Sequence, residues 1–322
     1  RGKRGYDYFK GRGLTDDTIK HFALGYADMY SDDLYKYLRG KGYTDAQLKD
    51  SGLVNVDEVK GGSDKFWNRV MYPIIDINNK VIGFGGRVMG EGEPKYLNTK
   101  DTLVFDKSRN LYGLNFAKKS KRKGLILCEG YMDVIAMHQA GFDNAVASLG
   151  TAFTIGHANL VRRFTNEAYL AYDSDGAGVK AAKKVILMLR EIGISTRVID
   201  MRPHKDPDEF IKALGTEDFE DRIKNAVSSI MYEVDLIARE YDQNDPEAKT
   251  NFQHEVAKKL STLDDPLARE NYTEAVAKKY LIDIKNLTAL VTHYGVDGGY
   301  VPPSVFEDAA PRRTSRQEVK EQ

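Results

Sequence analysis

One cysteine, Cys128, stands in a chain of 322 residues, so neither an intramolecular disulfide nor a thiolate zinc site can form within it. That usage fits a cytoplasmic enzyme. No apolar run approaches the ~20 residues that a membrane-spanning helix needs. The opening residues, RGKRGYDYFKGRG, lack the apolar core of a secretory signal. They also lack a methionine, which reads as a fragment of a longer chain. Net charge is absent too, since 48 Lys/Arg meet 48 Asp/Glu. No internal repeat is visible.

What is present is unevenly spread. Residues 1–59 carry ten Lys/Arg and ten Asp/Glu. Residues 60–123 carry fourteen against six, and residues 124–322 carry twenty-four against thirty-two. A basic segment followed by an acidic one suits a protein that holds a polyanion on one surface and cations on the other. Two solvated faces that differ by chance remain the plain alternative.

Hydrophobic patterning orders the chain. TDDTIKHFAL (15–24) has a Thr cap, an acidic first turn and apolar residues at helical spacing. Short helices are expected again at 31–39 and 44–51. RVMYPIID and VIGFGGRVM read as a β-hairpin with Asn78-Asn79 at its tip. The stretch from 91 to 113 reads as polar loops. From 124 onward short apolar strands (GLILC, NAVASLG, AYLAY, STRVIDM) alternate with helical segments, which predicts parallel strands with helices on both faces. After 208 the pattern is helical only, with breaks at Asp245-Pro246 and Asp265-Pro266. The stretch from 298 to 322 reads as a linker-like tail.

The acids fall at strand ends. Glu129 follows GLILC directly, and Asp173 and Asp175 follow AYLAY. Asp206 and Asp208 come after STRVIDM. In a parallel α/β sheet, ligands bind beyond the carboxyl ends of the strands, so the acids should meet at one rim. Crowded carboxylates repel unless a cation neutralises them. Mg²⁺ or Mn²⁺ does so with few protein ligands, and two ions can stabilise both oxygens of an in-line phosphoryl displacement. A helix-capping turn is the structural alternative for Asp173-Ser174-Asp175-Gly176. Asp133, one turn after Glu129, either joins the metal shell, orients Glu129, or caps its helix. His138 and His157 have no ligand-like spacing, and Cys128 reads as strand packing.

CEGYMDVIA, SLGTAF, AYDSDGAG and HKDPDEF resemble the toprim domain of bacterial DnaG-type primases. NRVMYPIIDINNKVIGFGGRVMGEGEPKYLNTKDTLVFDKSRNLYGL resembles the basic subdomain that precedes toprim in that family, and RGLTDDTIKHFALGYA matches it as well. The resemblance covers roughly residues 1–295. It implies an α/β fold with a parallel-sheet toprim domain at 123–208. A basic N-terminal α+β subdomain at 1–122 and a helical subdomain at 209–297 flank it. It also implies synthesis of short RNA primers from ribonucleoside triphosphates on a single-stranded DNA template. Glu129, Asp173 and Asp175 fall at the family's principal metal acids, with Asp206 and Asp208 as further members. Arg69, Arg87, Lys95, Asn98, Lys107 and Arg109 fall at its nucleotide- and nucleic-acid-binding groove; Tyr96, in the same stretch, either stacks on a base or packs in the fold. The family's zinc-binding domain needs cysteines this chain lacks. Its helicase-binding domain is expected beyond the C-terminus, so the chain reads as an isolated catalytic core without a membrane or zinc partner. A toprim nuclease or topoisomerase, and a non-catalytic DNA-binding module, are the rival readings.

Overall fold

Helix starts along the chain are set by short polar caps. Thr15 accepts a hydrogen bond from the Thr18 N–H, Thr44 from Gln47, and Thr154 from His157. The computed structural model of the chain describes residues 2–57, 59 and 61–297. The linker-like tail expected at 298–322 lies outside the described residues. The chain divides into two compact units, the first ending at Ser228 and the second beginning at Ser229.

The first unit opens with α1 (Lys3–Gly11), α2 (Asp16–His21), β1 (Gly25–Ala27), α3 (Asp33–Gly40) and α4 (Asp45–Asp50). Next come β2 (Val54–Asp57), β3 (Gly61–Asp64), β4 (Arg69–Ile75), β5 (Val81–Val88) and β6 (Tyr96–Asn98). The β4–β5 hairpin forms as its pattern predicts. Asp76 accepts from the Asn78 and Lys80 N–H groups, both at 2.8 Å, and Asn79 takes a φ of +60°. An antiparallel sheet results, in the order β1-β4-β5-β6. Several elements escaped the sequence reading, α1 and β6 among them. α1 hides among glycines yet buries Phe9 against Tyr72, with ring centroids 5.9 Å apart. β6 is a three-residue edge strand inside the stretch expected to be loop, pairing Tyr96 with Arg87.

A parallel sheet follows, built from α5 (Leu114–Ala117), β7 (Leu125–Cys128), α6 (Tyr131–Gln139), β8 (Ala145–Ala147), α7 (Ile155–Arg162), β9 (Glu167–Ala171), α8 (Gly176–Glu191) and β10 (Ser195–Val198). α9 (Pro207–Lys224) and β11 (Val227–Ser228) complete the unit. The sheet order is β11-β10-β9-β7-β8; β10, β9, β7 and β8 pair in parallel, and β11 adds an antiparallel edge. Among the described residues, that edge strand is the one departure from the helical-only pattern expected after 208. α9 buries Phe210 and Phe219, the latter 5.0 Å from Phe142 between centroids, so it packs into the first unit. The boundary drawn at 208 in the sequence therefore falls inside that unit. Tyr131 stacks on Tyr72 at 5.1 Å and meets Tyr112 edge-on at 4.7 Å. This aromatic seam locks the antiparallel sheet to the parallel one.

The second unit is helical: α10 (Ser229–Ala238), α11 (Pro246–Ser261), α12 (Pro266–Tyr280) and α13 (Ile284–Asp297). Asp245 and Asp265 cap α11 and α12, each with proline at the first helical position. Phe252, Val256, Leu260, Val276, Leu287 and Val291 form its core. Among the described residues, no helix is long and apolar enough to cross a membrane.

Candidate active site

β7 and β9 are parallel neighbours with Cys128 opposite Ala171, so the chain leaves both at the same edge. Glu129 and Asp173 therefore meet, and Glu129 Oε1 accepts the Asp173 backbone N–H at 2.9 Å. Asp175 caps α8, accepting from the Ala177 and Gly178 N–H groups at 3.0 and 2.9 Å. The metal and capping readings of Asp175 are thus compatible, because only Oδ1 is engaged by the cap. α8 can start this close to Glu129 only because residue 178 is glycine. A Cβ there would lie 2.1 Å from the Asp173 carbonyl oxygen and 2.8 Å from Glu129 Oε1.

Lys205 Nζ stands 3.2 Å from Asp173 Oδ2 and 3.5 Å from Asp175 Oδ2. Its backbone is tied to the rim, since the Ser174 N–H donates to the Lys205 carbonyl at 3.0 Å. Sequence reasoning passed over this lysine, although it directly precedes Asp206. The ammonium takes the place a cation would hold between two carboxylates. Burial, reinforced by the neighbouring Asp173, raises the Glu129 pKa, and burial also raises that of Asp173 despite Lys205. Asp175 moves the other way, held down chiefly by the Gly178 N–H. A rim whose carboxylates resist joint ionisation is suited to accept positive charge. Among the described residues, no three Asp, Glu, His or Cys side chains converge as a ready chelate. The rim's donors are carboxylate oxygens, a set that fits a hydrated divalent ion completing its shell with water or substrate oxygens.

Asp206 caps α9 through the Glu209 N–H at 2.8 Å and remains electrostatically coupled to Asp173 and Asp133. Asp208 is buried and already matched by Arg12 at 3.0 Å and Lys212 at 2.7 Å. Asp133 accepts the Gly130 N–H at 3.1 Å, so it closes the start of α6. Burial, then Asp206 and Asp173, push its pKa up to about 8. The folded protein thus holds a proton there that the unfolded chain releases near pH 4. In metal-free protein, stability should fall as pH rises from about 4 to about 8, by at most about 1.4 kcal/mol per pH unit. Asp133→Asn should flatten that decline in urea titrations across this range; an unchanged pH profile would discount the buried proton.

The basic residues separate into three groups. The Arg87 guanidinium lies between the rings of Tyr8 and Tyr96, at 5.2 and 5.9 Å, and its buried Nε has no acceptor. Arg12, which sequence reasoning did not select, has a buried Nε in the same condition. Lys95 is exposed and Lys107 half-buried, neither with a carboxylate partner among the described residues, whereas exposed Arg109 sits 3.5 Å from Asp106. Arg69 and Asn98 serve the fold. Arg69 is buried and donates to the Pro94 carbonyl at 2.9 Å. Asn98 donates to the Leu149 carbonyl at 2.8 Å and accepts from the Tyr131 hydroxyl at 2.7 Å, joining β6 to the parallel sheet. His157 also has a positioning role that spacing did not reveal. Its Nδ1 accepts the Thr154 N–H at 3.1 Å, so Nε2–H donates to the Lys107 carbonyl at 2.8 Å and pins the basic turn to α7.

Comparison with known proteins decides what this arrangement belongs to. Residues 1–118 match the family model of the DNA primase catalytic core, N-terminal domain, and residues 126–211 match a toprim-like model. A DNA primase domain from Pseudomonas aeruginosa is 34% identical, with a TM-score of 0.73 over 89% of this chain and 92% of that one. The chain belongs to the DnaG-type primase catalytic-core family. A DnaG primase catalytic domain bound to single-stranded DNA is 32% identical, with a TM-score of 0.74 over 88% of this chain and 90% of that one. The DNA primase of Clostridium acetobutylicum is 40% identical over 80% of this chain but only 43% of its own length. That of Deinococcus radiodurans is 38% identical over 80% and 46%. The chain thus spans less than half the length of these curated relatives.

One expectation is corrected. Residues 231–283 match the model of the DnaB-helicase binding domain of primase, so a segment of that kind lies within the chain, where the expectation had put it beyond the C-terminus. It falls on α10–α12, where amphipathic helices offer no chemical motif by which to recognise it.

Proposed function

We propose that this DnaG-type core synthesises short RNA primers on single-stranded DNA by two-metal nucleotidyl transfer. The observation that carries the reading is the acid rim of Glu129, Asp173 and Asp175 held in one unit with unpaired cations at Arg87, Lys95 and Lys107. Two bound divalent ions, Mg²⁺ or Mn²⁺, would supply charge neutralisation and a lowered pKa for the attacking hydroxyl. Asp173 and Asp175 would hold them through their Oδ2 atoms, displacing Lys205, and Glu129 through the oxygen not committed to the Asp173 N–H. If Glu129 does not ligate a metal, that same oxygen would instead take the hydroxyl proton. Arg12, Arg87, Lys95 and Lys107 bind triphosphate and template phosphates, and Tyr96 offers a base a ring face. The primer 3′-oxygen bonds to the α-phosphorus, the α–β bond breaks, and pyrophosphate leaves.

Asp206 and Asp208 act at one remove in this scheme, Asp206 by field and Asp208 by fixing Arg12. A replicative helicase is the partner proposed for the second unit. Incorporation of labelled ribonucleotide on a single-stranded template, with and without divalent metal, tests the reading. Metal-dependent RNA product is expected. Metal-dependent strand cleavage without added nucleotide would instead support a toprim nuclease.

A further inference from the structure

Lys205 is held at its backbone and free at its head. Its N–H donates to Glu209 Oε2 at 2.9 Å, and its carbonyl accepts the Ser174 N–H at 3.0 Å. The neighbouring His204 carbonyl accepts the Ser174 hydroxyl at 3.1 Å, and Asp206, next in the chain, is fixed as the cap of α9. The start of α9 is thus sewn to the loop that carries Asp173 and Asp175, so the root of the lysine stays beside the acids. Its side chain, by contrast, is 57% exposed, against 20% for Asp173. A flexible four-carbon stem with a hydrated head can swing away from such a place without unpacking anything.

The ammonium bridges Asp173 Oδ2 and Asp175 Oδ2, at 3.2 and 3.5 Å. On Asp175 that is the oxygen the α8 cap leaves over, since Oδ1 takes the Ala177 and Gly178 N–H groups. A divalent ion would need the same oxygens, at about 2.0–2.1 Å for Mg²⁺. A monovalent and a divalent cation only a few ångströms apart repel, so the two cannot share them. Metal therefore enters as Lys205 leaves. Its apparent affinity is reduced to the extent that the ammonium stays in place.

We propose that Lys205 is a tethered counter-ion that competes with divalent metal for Asp173 and Asp175, and so sets the metal concentration at which the rim loads. This role rests on the reading of the rim as a metal site, and it gives that site a loading threshold. Before metal arrives the lysine relieves the repulsion between the two acids; once metal is bound it is surplus. A competitor and a ligand differ in sign. Removing a group that helps to hold the ion weakens its binding, whereas removing a rival cation strengthens it.

Mn²⁺ is titrated into the whole chain, stripped of metal beforehand, and the electron paramagnetic resonance signal of the free ion follows binding. The site counted is the one that Asp173→Asn abolishes. Lys205→Met keeps the stem and drops the charge, and should bind Mn²⁺ there roughly three- to thirtyfold more tightly than wild type. Lys180→Ala removes an equal charge from the exposed side of α8, the helix that Asp175 caps, and should change the affinity by less than about twofold. Melting curves close the cycle. Lys205→Met should melt below wild type in metal-free buffer and level with it at saturating Mn²⁺, because the ion then stands where the ammonium stood. Unchanged or weaker Mn²⁺ affinity in Lys205→Met, an equal gain in Lys180→Ala, or a stability loss that saturating metal leaves in place would overturn the competition. If neither wild type nor Lys205→Met binds Mn²⁺ at a site that Asp173→Asn removes, the metal rim itself falls and this role with it. Equal Mn²⁺ binding by both removes only the competition, and the expected shift without ribonucleotide incorporation removes only the primase assignment.

Discussion

Glu129→Gln is expected to cut ribonucleotide incorporation by about 10²–10³-fold or more while leaving the protein at least as stable. The amide keeps an oxygen acceptor for the Asp173 N–H, so the bond between the two strand ends survives. What disappears is a negative charge at the rim and a base for the attacking hydroxyl. The sign of the stability change follows from the raised pKa of Glu129. Burial and Asp173 penalise the ionised form in the folded state, so the neutral amide is relieved of a cost that wild type carries at neutral pH. Asp173→Asn should match the loss of activity but not the stability gain, because it also strips Lys205 of its nearer partner. Incorporation assays paired with urea denaturation separate the two effects. Activity within tenfold of wild type for a folded Glu129→Gln would remove the glutamate from the chemistry.

The rim was legible because its signals are local. A short apolar run ends, an acid follows at once, and parallel strand order brings such ends together. Glu129, Asp173 and Asp175 needed nothing more. Arg12 was not legible, since its partner Asp208 lies 196 residues away and nothing in GRGLT announces an ion pair. Lys205 stood in plain view beside Asp206, but only the fold turns it between Asp173 and Asp175. Arg69 and Asn98 carry a second task that a basic stretch does not announce: besides the ligand contacts expected of them, both hold strands together. β6 was hidden because three residues beside a proline carry too little periodicity to read as a strand. The second unit's helix starts were legible from Asp-Pro pairs, whereas its likeness to a helicase-binding segment lies in no single residue.

Gly178→Ala should be nearly as damaging as loss of an acid, although it adds one methyl group and removes no charge. The new Cβ would sit 2.1 Å from the Asp173 carbonyl oxygen, a backbone atom that no side-chain rotation can clear. Either the first turn of α8 or the Asp173 loop must shift, by roughly an ångström. Overpacking of this kind costs about 1–3 kcal/mol, or about 2–4 °C of melting temperature per kcal/mol in a unit this size. The larger consequence is for alignment, because Asp175 and Asp173 move relative to Glu129. A misplacement of about 1 Å at reacting groups can cost about 10²-fold in rate. Gly176 supplies the control from the same turn of the same helix. A Cβ there meets nothing within 4 Å, so Gly176→Ala should be neutral or slightly stabilising. Melting temperature and ribonucleotide incorporation measured for both alanine variants test the argument. If the two behave alike, the close approach of α8 to Glu129 does not govern the rim; if only Gly178→Ala fails, the glycine is what lets the acids meet.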